Sequence, residues 1–374
     1  MARLVLNTVA VKAIKNTPPS SLPNGTSIRI GFIPVTDCAP LIAAEKLGLF
    51  ESHGLKVSLH CEAGWATIRE KMVHGQLEAA HAVAGLILAL RLGLQGPSFP
   101  VVSPFIFSLQ GNAITLSRDL WNRGVRDAGS LKKLIRSQKD RLFTFGVVST
   151  FSAHYFLMRR WLERGGINPE TDVRILAFPP SLMAENLGEG LLDGFCAGEP
   201  WNSQAVADRT GWCPAVSAEL MPQHPEKVLL VAERFANEHA DQLRTLCEVF
   251  VASCAFCDAA ENRAQLAKWL AESGYFTATA NVLSRSLVGP FDNGMGQLSE
   301  TESFHIFSRY EANIPTAGKS AWLLQECKQH GLISADRMGQ AETELSIAWR
   351  PLNPAAPAIR KTSKRNPKAQ LTTA

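Results

Sequence analysis

Apolar positions along this chain switch repeatedly between two periods. Short β-branched or aromatic runs, Ile28 to Pro34, LKVSLHCE, LEAAHA and FPVVSPFIF, alternate with stretches whose apolar residues recur every third or fourth position. Those stretches include APLIAAEKLGLFESHG, expected as one helix ending near Gly54, then WATIREKMVHG and AGLILALRLGL. A second series starts at Asn112, with NAITLS as strand, GSLKKLIRSQKD as helix and RLFTFGVV as strand. SAHYFLMRRWLERGG follows as an amphipathic helix, capped by Ser149 or Thr150 and closed by Gly165 and Gly166. DVRILAF, SLMAENLGEG and LLDGFCAG then read strand, helix, strand; past Pro200 and Trp201 the pattern is mainly helical, with HPEKVLLVAE as one more strand. Such alternation predicts parallel βαβ units with right-handed crossovers, hence an α/β fold.

A chain of 374 residues exceeds what one hydrophobic core usually serves, so two lobes are expected. The first takes residues 27–111 and 223–350 and the second takes 112–222, with 1–26 and 351–374 as flexible ends. Two α/β lobes joined by more than one crossing strand put a crevice at the carboxyl ends of the strands, and hinge closure is the motion that goes with it.

Composition changes this picture little: 46% apolar and 19% charged residues are ordinary globular values. Charge changes it more. The formal excess of base sits on the two ends, in Arg3, Lys12 and Lys15 and in Arg360, Lys361, Lys364, Arg365 and Lys368, so the body is acidic on balance. Direct nucleic-acid binding is therefore not expected. Asn7, Thr8, Lys12 and Lys15 interrupt what would be the apolar part of an export signal, and the longest apolar run, Ala82 to Leu90, falls short of a membrane span. The expected location is cytoplasmic, without membrane association. Cys254 and Cys257 form a C-x-x-C, but inside CEVFVASCAFCDAA they read as small apolar residues of a buried helix. No phosphate loop, H-E-x-x-H pair or G-x-S-x-G elbow is present, so no catalytic residue, cofactor or metal is expected.

Several hydrogen-bond donors fall at strand-to-helix junctions of the expected crevice. Trp65 opens a helix directly after a strand, and its indole N–H can only donate; a core or lid role fits it equally well. Gly111 and Asn112 lie where the chain crosses between lobes, the first permitting close backbone approach and the second offering an amide donor, although a simple turn accounts for both. His154 is in the first turn of the helix after GVVST, whose N-terminus attracts negative charge; a surface or satisfied core histidine fits the position equally well. Lys227 enters the apolar strand KVLLV, where snorkelling is one reading; if it faces the crevice it is the one permanent charge able to neutralise a buried monoanion.

From about Ile28 to Trp349 the chain resembles the nitrate-binding family of ABC-transporter substrate proteins. The segments that carry the resemblance are GFIPVTDCAPLIAAEKLGLF, the Trp65 stretch, GNAIT, AHYFLMRRWLERGGINP, FPPSLMAENL, FCAGEPWN and HPEKVLL. The resemblance implies a type II periplasmic-binding-protein fold, two α/β lobes with a hinge and a central ligand crevice. It puts an anion beside Trp65, Gly111, Asn112, His154 and Lys227. Glu199 and Trp201 belong to the same signature, with ligand contact and hinge or wall packing both open. The bicarbonate branch carries an acidic residue and a metal at the lysine position, so Lys227 points to nitrate or nitrite; Asn112 departs from the glutamine usual in the family. Combined with the absent export signal, the resemblance implies the cytoplasmic nitrate/nitrite sensor branch. That branch sequesters an ANTAR-domain RNA-binding antiterminator and releases it on anion binding. The alternative is the solute-binding component of a nitrate or bicarbonate ABC transporter.

Overall fold

The computed structural model describes residues 27–299 and 304–351. The expected flexible ends, 1–26 and 351–374, lie outside the described residues apart from Pro351.

The chain first forms β1 (Ile28–Phe32), α1 (Ala39–Lys46), α2 (Leu49–Ser52), β2 (Val57–Cys61), α3 (Trp65–Val73), β3 (Ala79–Val83), α4 (Leu86–Arg91) and β4 (Val101–Gln110). It crosses to a second lobe with β5 (Asn112–Ser117), α5 (Arg118–Asn122), α6 (Ala128–Ser137), β6 (Phe143–Val147), α7 (Ala153–Arg164), β7 (Val173–Ala177), α8 (Met183–Gly188), β8 (Gly194–Gly198), α9 (Trp201–Ala207), β9 (Gly211–Val216) and α10 (Ser217–Leu220). It returns through β10 (Pro225–Ala232), α11 (Glu233–Glu238), α12 (Ala240–Asp258), α13 (Arg263–Glu272), α14 (Ala280–Ser284), β11 (Phe291–Asp292), β12 (Leu298–Ser299), β13 (His305–Ile306), α15 (Ala317–Gln329) and α16 (Met338–Ala348).

The first sheet has the order β13-β4-β10-β3-β1-β2 and the second β7-β6-β8-β5-β9. The βαβ strands β1, β2 and β3 are parallel, as are β6, β7 and β8. The crossing strands are not: β10 runs antiparallel to β3 and β4, and β5 antiparallel to β8 and β9. The expected parallel βαβ units are found in β1, β2, β3, β6, β7 and β8, and the crossing strands are added to them antiparallel. A strand that arrives directly from the other sheet enters at the carboxyl ends of the parallel strands and must run against them.

Three other expectations change. The helix read through to Gly54 breaks into α1 and α2 at Gly48, whose φ of 64° is left-handed. Ser152, rather than Ser149 or Thr150, caps α7, its side chain accepting from the Tyr155 N–H. Strand β9, which contains Pro214, falls in a region read as mainly helical. Among the described residues it pairs within its sheet only with β5, and an edge position tolerates the missing donor.

Continuous burial of β3, β4 and β10 follows from sheets covered on both faces. Phe107, Phe250 and Cys254 pack in the core beneath the first sheet. Cys254 and Cys257 are free, fully buried thiols in α12, pushed well up by burial, which matches their reading as small apolar helix residues. Among the described residues no helix is long and apolar enough to cross a membrane.

Candidate functional site

The two sheets face one another through the carboxyl ends of their parallel strands, and the polar residues buried between them come from those ends. Asp37 lies in the 3-10 turn Thr36–Cys38 after β1, Trp65 begins α3 after β2, and His81 is on β3. From the other lobe, His154 sits in the first turn of α7 after β6, and Gly198 ends β8 opposite Asn112, the first residue of β5.

The crossings fix the rest. Gln110 and Gly111 both take left-handed conformations, with φ of 62° and 92°, so that β4 can turn directly into β5. Any Cβ at Gly111 would collide with the ring of His305, so glycine is required there. The returning crossing meets the outgoing one: the Gln110 N–H donates to the His224 carbonyl at 3.1 Å and the Gln223 N–H to Gln110 Oε1 at 2.7 Å. Register shifts against β4 on both sides of Lys227 break the regular alternation of β10. Glu226 and Lys227, neighbours in sequence, consequently reach each other.

Lys227 is fully buried, and its Nζ donates to Asp37 Oδ2 at 2.8 Å and to Glu226 Oε1 at 2.6 Å. It also lies 5.4 Å from the centroid of the Trp65 ring. Asn112 Nδ2 donates to Glu226 Oε2 at 2.6 Å; a carboxylate only accepts, which fixes the amide with its nitrogen toward Glu226. His224 Nδ1 faces the Met221 carbonyl at 2.6 Å and its Nε2 faces Glu226 Oε2 at 3.3 Å. His154 Nε2 stands 3.6 Å from Glu226 Oε1. Among the described residues both His154 ring nitrogens, Trp65 Nε1, Asn112 Oδ1 and Asp37 Oδ1 are buried without a hydrogen-bond partner. Buried polar atoms left open in this way mark a place where a ligand or water completes them.

Two of these open atoms, Asn112 Oδ1 and His154 Nε2, converge at Gly198. A Cβ built on it would sit 3.5 Å from Asn112 Oδ1, 3.8 Å from His154 Nε2 and 3.9 Å from Asp37 Oδ2, with no clash. The missing side chain leaves a methyl-sized space on which three polar groups converge.

Burial favours uncharged forms, and nearby charges decide which groups escape it. Burial pulls Lys227 down, but the Asp37 and Glu226 carboxylates override it and hold the ammonium above its ordinary value. Burial pushes Glu226 up, but Lys227 and then His154 and His224 hold it well below the ordinary carboxylate range. For His154 burial prevails and lowers it to about 3, with Lys227 and His224 acting in the same direction against Glu226. Burial likewise lowers His81 to about 4 and His305 to about 3.

Four of the sequence-expected residues, Trp65, Asn112, His154 and Lys227, are thus brought together, and Gly111 serves the crossing itself. Two readings are corrected. Lys227 is not a free cation awaiting an anion, because it is paired with two carboxylates. Asn112 presents an acceptor oxygen to the open space, because its donor is taken by Glu226. Glu199 lies at the junction between lobes: the Thr36 N–H donates to the Glu199 carbonyl at 2.6 Å, and the Glu199 carboxylate accepts from the Ser203 N–H at 3.1 Å. Burial pushes Glu199 up to about 7. Trp201 is buried at the start of α9.

Sequence reasoning missed Asp37, His81, Gly198, His224, Glu226 and His305. His224 and Glu226 were in view within HPEK, where an acid beside an inward lysine is itself a signal. Nothing local marks Asp37, which pairs with Lys227 across 190 positions of sequence.

The profile of the NMT1-like family matches residues 21–271. The nitrate import ATP-binding protein NrtC of Synechocystis sp. is 34% identical over 310 residues, which cover 82% of this chain and 46% of that one. The bicarbonate transport ATP-binding protein CmpC of Synechococcus elongatus is 31% identical over 313 residues, covering 83% and 46%. The chain therefore spans about half the length of these curated relatives. Among solved structures, the periplasmic nitrate-binding protein NrtA from Synechocystis PCC 6803 aligns with a TM-score of 0.80 and 23% identity, over 85% of each chain. The fold is accordingly that of the periplasmic binding proteins.

Proposed function

The chain belongs to the NMT1-like family, and from that premise we propose that it binds a small inorganic oxyanion between its lobes, nitrate or nitrite in preference to bicarbonate. We assign it no catalytic step. The observation that carries the reading is that Trp65 and Lys227 of one lobe meet His154 and Asn112 of the other, and that His154 and Asn112 also face the open space at Gly198. A planar anion leaving water must regain hydrogen bonds, and the unpartnered Trp65 Nε1 and His154 nitrogens supply them. Ligand contacts on both lobes make the closed arrangement the binding state.

A role as the solute-binding component of an ABC import system draws support from the likeness to NrtC and CmpC. Thermal melts and titration calorimetry with sodium nitrate, nitrite, bicarbonate, chloride and sulfate test the ligand, since whatever binds only the folded, closed state raises the melting temperature. Nitrate or nitrite should produce the large shift. A larger one from bicarbonate with calcium would transfer the site to bicarbonate, and no shift from any of them would remove the oxyanion reading.

The regulatory variant rests on closure alone: a cytoplasmic protein whose open form holds an RNA-binding antiterminator of the ANTAR type and whose closed form releases it. Partner and anion must then prefer different lobe arrangements. Size-exclusion chromatography of the co-expressed pair with and without millimolar nitrate separates it from the transport role. A complex that never forms, or one indifferent to saturating anion, removes the sensor.

A further inference from the structure

We propose that the anion enters together with a proton, which His154 takes from solvent and holds as an imidazolium for as long as the ligand is bound. The inference rests on the oxyanion reading above and adds its charge balance.

Two of the three Lys227 donors are committed to Asp37 and Glu226, so the one lysine of the cluster already faces two carboxylates. An incoming anion adds a negative charge to a set of groups wholly removed from water, and an uncompensated charge there is strongly disfavoured. A compensating cation must come with it, and the cluster offers empty proton sites.

His154 is the best placed of these. Its Nε2 is 3.6 Å from Glu226 Oε1 and 3.8 Å from the open position above Gly198, so a proton on that nitrogen meets a carboxylate and the ligand at once. Neither ring nitrogen has another partner among the described residues. The groups facing it are Glu226 and Lys227 on β10, His224 just before that strand, the Trp65 ring on α3, Asn112 on β5, and Asp37 across the space at Gly198. The other histidines are less apt: His81 Nε2 donates to the Asp37 carbonyl, both His224 nitrogens have neighbours, and His305 lies against Gly111. In the free protein burial, Lys227 and His224 keep His154 neutral, so the proton arrives with the anion rather than before it.

Calorimetry of the full chain with sodium nitrate, in EDTA-treated buffers of different ionisation enthalpy near pH 6.5, reads proton uptake directly. The expected uptake is between about one half and one proton per anion, with affinity falling as pH rises by up to about tenfold per pH unit. Replacing Asp37 with Asn removes one of the two negative charges. That variant should lose the proton uptake and bind nitrate more tightly than the parent protein at about pH 8. Should Asp37→Asn not fold, nitrogen NMR of the histidine rings in the parent decides, the His154 ring turning from neutral to doubly protonated on saturation with nitrate. Binding with buffer-independent heat and pH-independent affinity, or a His154 ring that stays neutral when saturated, would overturn the proposal and leave the oxyanion reading intact. An Asp37→Asn protein that folds and keeps the parent's proton uptake would overturn it as well. No binding of nitrate, nitrite or bicarbonate at any pH would remove both.

Discussion

Arg160 on α7 of the second lobe donates to Glu326 on α15 with 2.7 Å between Nη2 and Oε1, although the two residues lie 166 positions apart. Glu326 is buried, and beside it Phe156 of α7 stacks on His330 and packs edge-on against Trp322. Helix α15 in turn packs on α16, which lies against α4 and β4 of the first lobe. The helix that carries His154 in its first turn is therefore held from the opposite lobe. Replacing Glu326 with Ala should loosen the closed arrangement, with a stability loss of about 1–2 kcal/mol, discounted from a fully buried pair because Arg160 is partly exposed. Small-angle scattering of the ligand-free variant should show a larger radius that contracts on saturation with ligand. An unchanged radius would mean that α15 does not govern closure.

Gly198→Ala separates ligand binding from folding. The added methyl meets its neighbours at ordinary contact distances, and the backbone there is not in the left-handed region, so the variant should melt within a few degrees of the parent. The same methyl fills the space on which Asn112, His154 and Asp37 converge, and nitrate affinity should fall by at least about tenfold, roughly 1.4 kcal/mol. Calorimetry showing parental affinity would move the ligand seat elsewhere.

Lys227→Ala should fail on two counts. It removes the cation at the site, weakening nitrate by at least about tenfold, and it leaves Asp37 and Glu226 buried without their counter-ion. Breaking a buried pair from one side costs about 3–5 kcal/mol, which urea unfolding should register even without ligand. Trp65→Phe keeps the ring that Lys227 faces and deletes one neutral donor, so its loss of affinity should stay below about tenfold. If the tryptophan variant proves the more damaging, the indole N–H is the principal ligand contact.

Stability should fall on mild acidification. His81, His154 and His305 are lowered from 6.5 to about 4, 3 and 3 in the fold, so as pH drops below 6.5 the unfolded chain takes up protons that the folded one refuses. Glu199, raised from 4.5 to about 7, works the other way: the stability it contributes is present below 4.5 and lost as pH rises through about 7. Glu226 is held well below 4.5, so its contribution persists above that value and is lost only in stronger acid. Three histidines outweigh one glutamate, and the net loss between about pH 6 and pH 5 should be on the order of 2 kcal/mol. A urea midpoint that stays level or rises over that interval would show that these histidines are protonated in the fold.

What the sequence determined by itself is what short-range periodicity can encode. The alternation of strand and helix marked most elements of both sheets, and the buried helix around Cys254 and Cys257 was legible from its composition. Trp65 and His154 stood out because each opens a helix immediately after a strand, the position at which α/β sheets present side chains to a ligand. Tertiary structure decided the remainder. The direction of β5 and β10 depends on which end of the other sheet the chain enters from, and no local pattern carries that information. Whether Lys227 is a free or a compensated charge depends on Asp37, Glu226 and the exclusion of water around them. Gly198 matters through the Cβ it lacks, and that space has meaning only once Asn112, His154 and Asp37 surround it. Hydrophobic periodicity is written over neighbouring residues, whereas desolvation and charge pairing are properties of atoms that meet only in the folded chain.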